Sequence, residues 1–107
     1  MEQRKRETLQ IEYGTSKEYF AVRVMSDDMI NAYIPKGAVV VIRKQRYANN
    51  GEIVLVLHSG KLCFRYFKEV DGDLYLTAAN NSIMPVIVRK TDDFTILGKV
   101  CEIRFEV

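Results

Sequence analysis

Phe20-Ala21-Val22-Arg23-Val24-Met25-Ser26-Asp27-Asp28-Met29-Ile30-Asn31-Ala32-Tyr33-Ile34-Pro35-Lys36-Gly37-Ala38-Val39-Val40-Val41-Ile42 carries a strand, a break and a second strand in one sweep. Phe20, Val22 and Val24 alternate onto one face, the period of a half-buried strand. Ala38 to Ile42 is a continuous apolar run, which suits a strand covered on both faces. Pro35-Lys36-Gly37 is turn chemistry. Between the strands, Ser26 to Ile34 reads as one short helix. Ser26 or Asp27 would cap it, and Met29, Ile30 and Tyr33 would form its apolar face.

Working outward, β signals continue to the end of the chain. Ile53 to Leu57 is another apolar run, and His58-Ser59-Gly60 turns it into Lys61 to Lys68. Asp71-Gly72 turns the chain again into Leu74 to Thr77, because glycine permits the positive φ of a tight hairpin. Val86-Ile87-Val88 and Ile96 to Val107 supply the last strands, the latter interrupted by Gly98. Asn49-Asn50-Gly51, Asn80-Asn81 and Thr91-Asp92-Asp93 are turn clusters. Many short strands at regular spacing predict an all-β, curled or barrel-like domain over residues 19–107. Residues 1–18 are expected to be a solvated arm or linker remnant, since Glu2 and Glu7 flank Arg4-Lys5-Arg6.

The 107 residues suit one domain, and 48% hydrophobic with 28% charged residues is an ordinary globular balance. A formal net charge of +2 is too small to argue for nucleic acid. Cys63 and Cys101 lack the close spacing of a zinc knuckle or redox motif, and both lie in apolar runs. They are expected to be buried, reduced thiols of a cytoplasmic protein. No stretch is long enough to span a membrane as a helix, and no signal peptide is evident. No clustered metal ligands or phosphate loop occur, so no metal, cofactor or small-molecule substrate is expected. The lone histidine, His58, reads as an exposed turn residue with no local carboxylate to make it part of a triad.

The order of segments carries more. Phe20 to Met29 resembles the segment of LexA and UmuD-type self-cleaving proteins that bears a Gly-Asp-Ser-Met nucleophile motif. Ile34-Pro35-Lys36-Gly37-Ala38-Val39-Val40-Val41 is similar to the family's following turn and strand, and Asn50-Gly51-Glu52-Ile53-Val54 to its Asn-Gly-Asp-Ile-Val strand. Leu62 to Phe67 occupies the place of the strand that supplies the catalytic lysine. Asn80-Asn81 with Pro85-Val86-Ile87-Val88, then Ile96-Leu97-Gly98-Lys99-Val100, complete the likeness over about Tyr19 to Phe105. The resemblance implies LexA/signal-peptidase-like curled sheets or a partial barrel with one short helix.

It also implies a serine–lysine dyad, in which a neutral lysine takes the serine proton. This chain departs at both positions. Asp28 stands where the serine is expected, beside Ser26, Asp27 and Met29, and Arg65 stands where the lysine is expected. A guanidinium does not deprotonate in proteins and cannot act as the base. A carboxylate is a poor nucleophile toward an amide, and Ser26 would lack a base. Residues 1–27 contain no Ala-Gly, the family's scissile pair. The two replacements are complementary in charge, so an Asp28–Arg65 ion pair is expected on the face Arg65 shares with Cys63 and Phe67.

Without chemistry, assembly is the activity that remains. The expectation is a pseudo-peptidase, the homodimerising domain of a phage-type or mobile-element repressor, with DNA reached only through an attached helix-turn-helix domain. The C-terminal strand, with Val100, Glu102, Ile103, Arg104 and Phe105, is the expected dimer contact; the alternative is that its apolar residues face the domain's own core. Two other functions stay open. One is a UmuD-like accessory subunit binding a translesion DNA polymerase in the SOS response, and the other is an active self-cleaving peptidase using unfamiliar residues.

Overall fold

The computed structural model describes residues 18–105. Seven strands form one antiparallel sheet: β1 (Tyr19–Arg23), β2 (Val39–Lys44), β3 (Ile53–His58), β4 (Lys61–Val70), β5 (Asp73–Thr77), β6 (Val86–Val88) and β7 (Phe94–Arg104). Their order is β1-β2-β7-β3-β4-β5-β6, so β1 and β6 are edges and the sheet is not a closed barrel. The expected strands are present. The expected arm falls almost wholly outside the described residues, as do Glu106 and Val107.

Turn chemistry fixes the hairpins. Ser59 and Gly60, like Asp71 and Gly72, all have positive φ, the requirement of a two-residue primed turn whose twist matches the strands it joins. The Asn49–Gly51 turn is built differently. The Asn50 side chain donates to the Glu69 carbonyl (3.1 Å) and accepts from the Glu69 N–H (2.7 Å), as a strand backbone would.

β7 carries two register shifts. Val41 faces Glu102 while Ile42 faces Val100, and Leu55 faces Gly98 while Val56 faces Ile96, leaving Cys101 and Leu97 as extra residues. Such bulges bend and twist a strand. At Gly98 a Cβ would collide with the Arg43 carbonyl and the Ile42 side chain, so only glycine permits this approach of β2 to β7. The resulting curl is visible in contacts across the sheet. Asn31 N–H donates to the Ala79 carbonyl (2.8 Å), joining the β1–β2 connection to the β5–β6 connection. On a flat sheet β2 and β5 would lie on the order of 20 Å apart.

The sheet separates two apolar clusters. One gathers Phe20, Val22, Val40, Ile42 and Leu55 with Val24, Met29, Ile34, Ala78 and Ala79 from the connections. The other gathers Val54, Val56, Phe67, Leu76 and Ile96. β3 thus buries consecutive residues into different clusters, which explains why its sequence is a run and not an alternation.

Two expectations need correction. The Ser26–Ile34 helix is only a 3-10 turn, Ile30–Ala32, preceded by Met29 and lacking a side-chain cap. Met29 is buried, but Ile30 and Tyr33 are exposed, because a single tight turn has no continuous apolar face. Cys101 is exposed at its bulge and Cys63 half-buried, and neither is in a disulfide. The last strand is interior along much of its length: β7 pairs with β3 over Phe94–Lys99 and with β2 over Gly98–Arg104.

Candidate functional site

The β1–β2 connection is held by its backbone and by neighbours from the opposite edge of the sheet. Val24 and the Gly37–Ala38 pair exchange backbone bonds at 2.8 Å, and Arg23 Nη1 donates to the Gly37 carbonyl at 2.8 Å. Asn80 Nδ2 donates to the Asp27 carbonyl (2.9 Å), and Asp27 Oδ1 accepts from Lys36 N–H (3.3 Å). Met29 is buried beneath, its sulfur accepting from Ala79 N–H (3.2 Å). Asp28 is thereby presented from a restrained loop.

Arg65 comes from the middle of β4, opposite Val54. Its Nη1 donates to Asp28 Oδ2 at 2.8 Å and to the Phe64 carbonyl at 2.7 Å. The Arg65 side chain is 13% exposed and that of Asp28 29%, so the ion pair is largely withdrawn from solvent. The sequence expectation of an Asp28–Arg65 pair is met. Ser26 is exposed, and its Oγ accepts from Asp28 N–H (3.4 Å). Chemically this is a closed salt bridge: a donor that holds its proton against an acceptor that needs none. Among the described residues no cluster of three or more His, Cys, Asp or Glu could hold a metal.

His58 differs from its reading as an exposed turn residue. It ends β3, and its Nε2 lies 2.9 Å from Asp92 Oδ2, with its ring edge-on to Phe94 at 6.1 Å. His58 and the Arg89 N–H hold the Asp92 carboxyl below its ordinary range. Thr91-Asp92-Asp93 had signalled only a turn; a carboxylate 34 residues away in sequence left no local pattern to find. A second pair was likewise invisible in sequence. Lys99 Nζ meets Glu52 Oε2 at 2.5 Å, and Asn49 N–H donates to Glu52 Oε1 at 2.7 Å. Lys99 and Asn49 lower the Glu52 carboxyl, and Glu52 raises the Lys99 ammonium.

The expected dimer residues fall at the end of β7, where it has parted from β3. Among the described residues, Glu102 and Ile103 pair with β2 and have no partner in β3. Val100, Glu102 and Ile103 line a cleft of about 330 Å³ together with Glu52, Tyr66 and Lys99. Ile103 packs on the domain's own core, whereas Phe105 is 60% exposed; Arg104 pairs with Glu102.

Among the described residues, no helix is long and apolar enough to cross a membrane. Residues 2–101 match the family model described as Peptidase S24-like. The LexA repressor of Streptomyces coelicolor is 40% identical over 83 residues, covering 78% of this chain and 34% of that protein. That of Ligilactobacillus salivarius is 39% identical over 90 residues, covering 82% and 42%. That of Enterococcus faecalis is 40% identical over 83 residues, covering 76% and 38%. The chain therefore spans about a third to two fifths of the length of these relatives.

Proposed function

The chain belongs to the peptidase S24-like family, and from that premise we propose that it is a catalytically inactive, LexA-like repressor domain that serves assembly in the cytoplasm. The observation that carries this reading is the Asp28–Arg65 ion pair, 2.8 Å long and largely withdrawn from solvent. By resemblance, these two positions are those of a nucleophile and its base. Here they neutralise each other, and neither can exchange a proton usefully with an amide substrate. Assembly is the activity this leaves, with DNA engaged through an attached helix-turn-helix domain and two copies joined at the end of β7. Glu102 and Ile103, paired with β2 alone among the described residues, and exposed Phe105 support that choice of surface.

Two measurements test the reading. The protein is incubated at alkaline pH, or with an activated RecA filament, and followed by mass spectrometry; it is expected to stay intact. A discrete internal cleavage product would overturn the inactivity. Sedimentation is expected to show a dimer that dissociates on Phe105→Asp substitution, and a strictly monomeric species at high concentration would refute the assembly role.

A further inference from the structure

Between Asp28 and Glu52 the chain contains no acidic residue, yet it holds Lys36, Arg43, Lys44 and Arg46. The small overall net charge conceals this asymmetry. Folding concentrates it further: Arg43 and Lys44 end β2, and Arg46 and Tyr47 follow in the next turn, all four exposed. The turn is ordered, because Gln45 Nε2 donates to the Tyr47 carbonyl (2.8 Å) and Ala48 packs on the second apolar cluster. Arg43 lies opposite Tyr19 on β1 and Lys99 on β7. Tyr19 is 40% exposed and Tyr47 67%.

The acids at the margins do not cancel this charge. Glu52 is already held by Lys99 and the Asn49 N–H. Glu18 lies at the same margin, where its backbone carbonyl accepts from the Lys44 N–H (2.7 Å). Among the described residues neither the Arg43 nor the Arg46 guanidinium has a carboxylate partner. Guanidinium forks match phosphate oxygens in pairs, and tyrosine hydroxyls add phosphate contacts.

We propose that the Arg43–Tyr47 turn, with Tyr19 beside it, is a contact surface for the phosphate backbone of duplex DNA, used by this domain directly and without sequence preference. It would supplement whatever base readout an attached domain provides. Two guanidiniums on phosphates make binding salt-dependent: raising salt from 50 to 200 mM should weaken it about 12-fold.

The test is fluorescence anisotropy of the full chain with a duplex oligonucleotide of arbitrary sequence, a single strand of the same length, and heparin. The expected result is duplex binding at low salt with that steep slope. Arg43→Ser with Arg46→Ser should remove most of the slope while leaving the circular dichroism spectrum and unfolding midpoint unchanged. Lys61→Ser with Lys90→Ser, around the β3–β4 turn, should leave binding intact. No duplex binding at low salt would overturn the proposal. So would equal loss in both double variants, preference for the single strand, or capture of heparin alone. The self-cleavage and sedimentation results do not depend on this outcome, so either reading can fail without the other.

Discussion

Replacing Asp28 by Ala leaves the Arg65 guanidinium beside the Phe64 carbonyl but without its carboxylate. Exposed ion pairs contribute about 0–1 kcal/mol, whereas breaking a buried one costs about 3–5. With side chains 13% and 29% exposed, this pair lies between those limits. A lost hydrogen bond between charged groups alone is worth about 1.5–3 kcal/mol. The expected cost of Asp28→Ala is therefore about 2 kcal/mol, or a fall in Tm of roughly 8 °C for a domain of this size. Urea unfolding should show the midpoint moving with its slope unchanged, since the surface exposed on unfolding is the same. Arg65→Ala and the double variant complete a cycle, and a coupling of about 1–2 kcal/mol is expected between groups in direct contact. A cost below about 0.5 kcal/mol for Asp28→Ala would place the pair among exposed ones and refute the reasoning.

Other outcomes follow from the same structure. Gly98→Ala must push β2 from β7 at the Arg43 carbonyl, costing about 3 kcal/mol or preventing folding, as soluble yield and thermal unfolding would show. The Glu52 and Asp92 carboxyls are lowered below their ordinary values of 4.5 and 3.8, so each contributes stability that is present above those values and lost as pH falls through the folded one. Asp92→Asn should flatten the acid side of the stability–pH curve below about pH 4, and an unchanged curve would count against the His58 contact. Cys101 should react with a thiol reagent in the folded protein much faster than Cys63, because one is exposed and the other half-buried. On the proposed reading, Asp28→Ser with Arg65→Lys is expected to hydrolyse a supplied peptide faster than the unaltered protein does; no gain would count against a retained dyad geometry.

Local chemistry made the strands and hairpins legible. Ser59-Gly60 and Asp71-Gly72 announce primed turns, and apolar runs announce β2 and β3, because these signals act within a few residues. The helix misled because Met29, Ile30 and Tyr33 are spaced like an apolar face. Tertiary contacts used only Met29, and Tyr33 takes a left-handed φ of 63° that ends the turn at once. Cys101 was misread for a related reason: alternation along β7 fails at a bulge, and no residue-level pattern marks one. Of the site, Asp28 and Arg65 were found through segment order and confirmed as a contact by geometry. His58–Asp92 and Glu52–Lys99 join residues 34 and 47 positions apart, a pairing that depends on β3 lying beside β7 and leaves no spacing signal.

The positions of Asp28 and Arg65 are set by groups other than themselves. Asn80, Ala79 and buried Met29 hold the loop, Arg23 and Val24 anchor it to Gly37 and Ala38, and β3 holds the strand that bears Arg65. None of these contacts involves the side chains that catalysis would require. A scaffold of this kind brings two side chains together whatever they are, and on the proposed reading a hydroxyl and an amine have given way here to a carboxylate and a guanidinium. Arginine alone there would be a charge withdrawn from water without a partner, and aspartate alone would be the same with opposite sign. Each replacement is costly by itself and tolerable with the other. On that reading the ion pair is compensation within a retained geometry, and its removal should cost about 2 kcal/mol of stability without dismantling the loop that presents it.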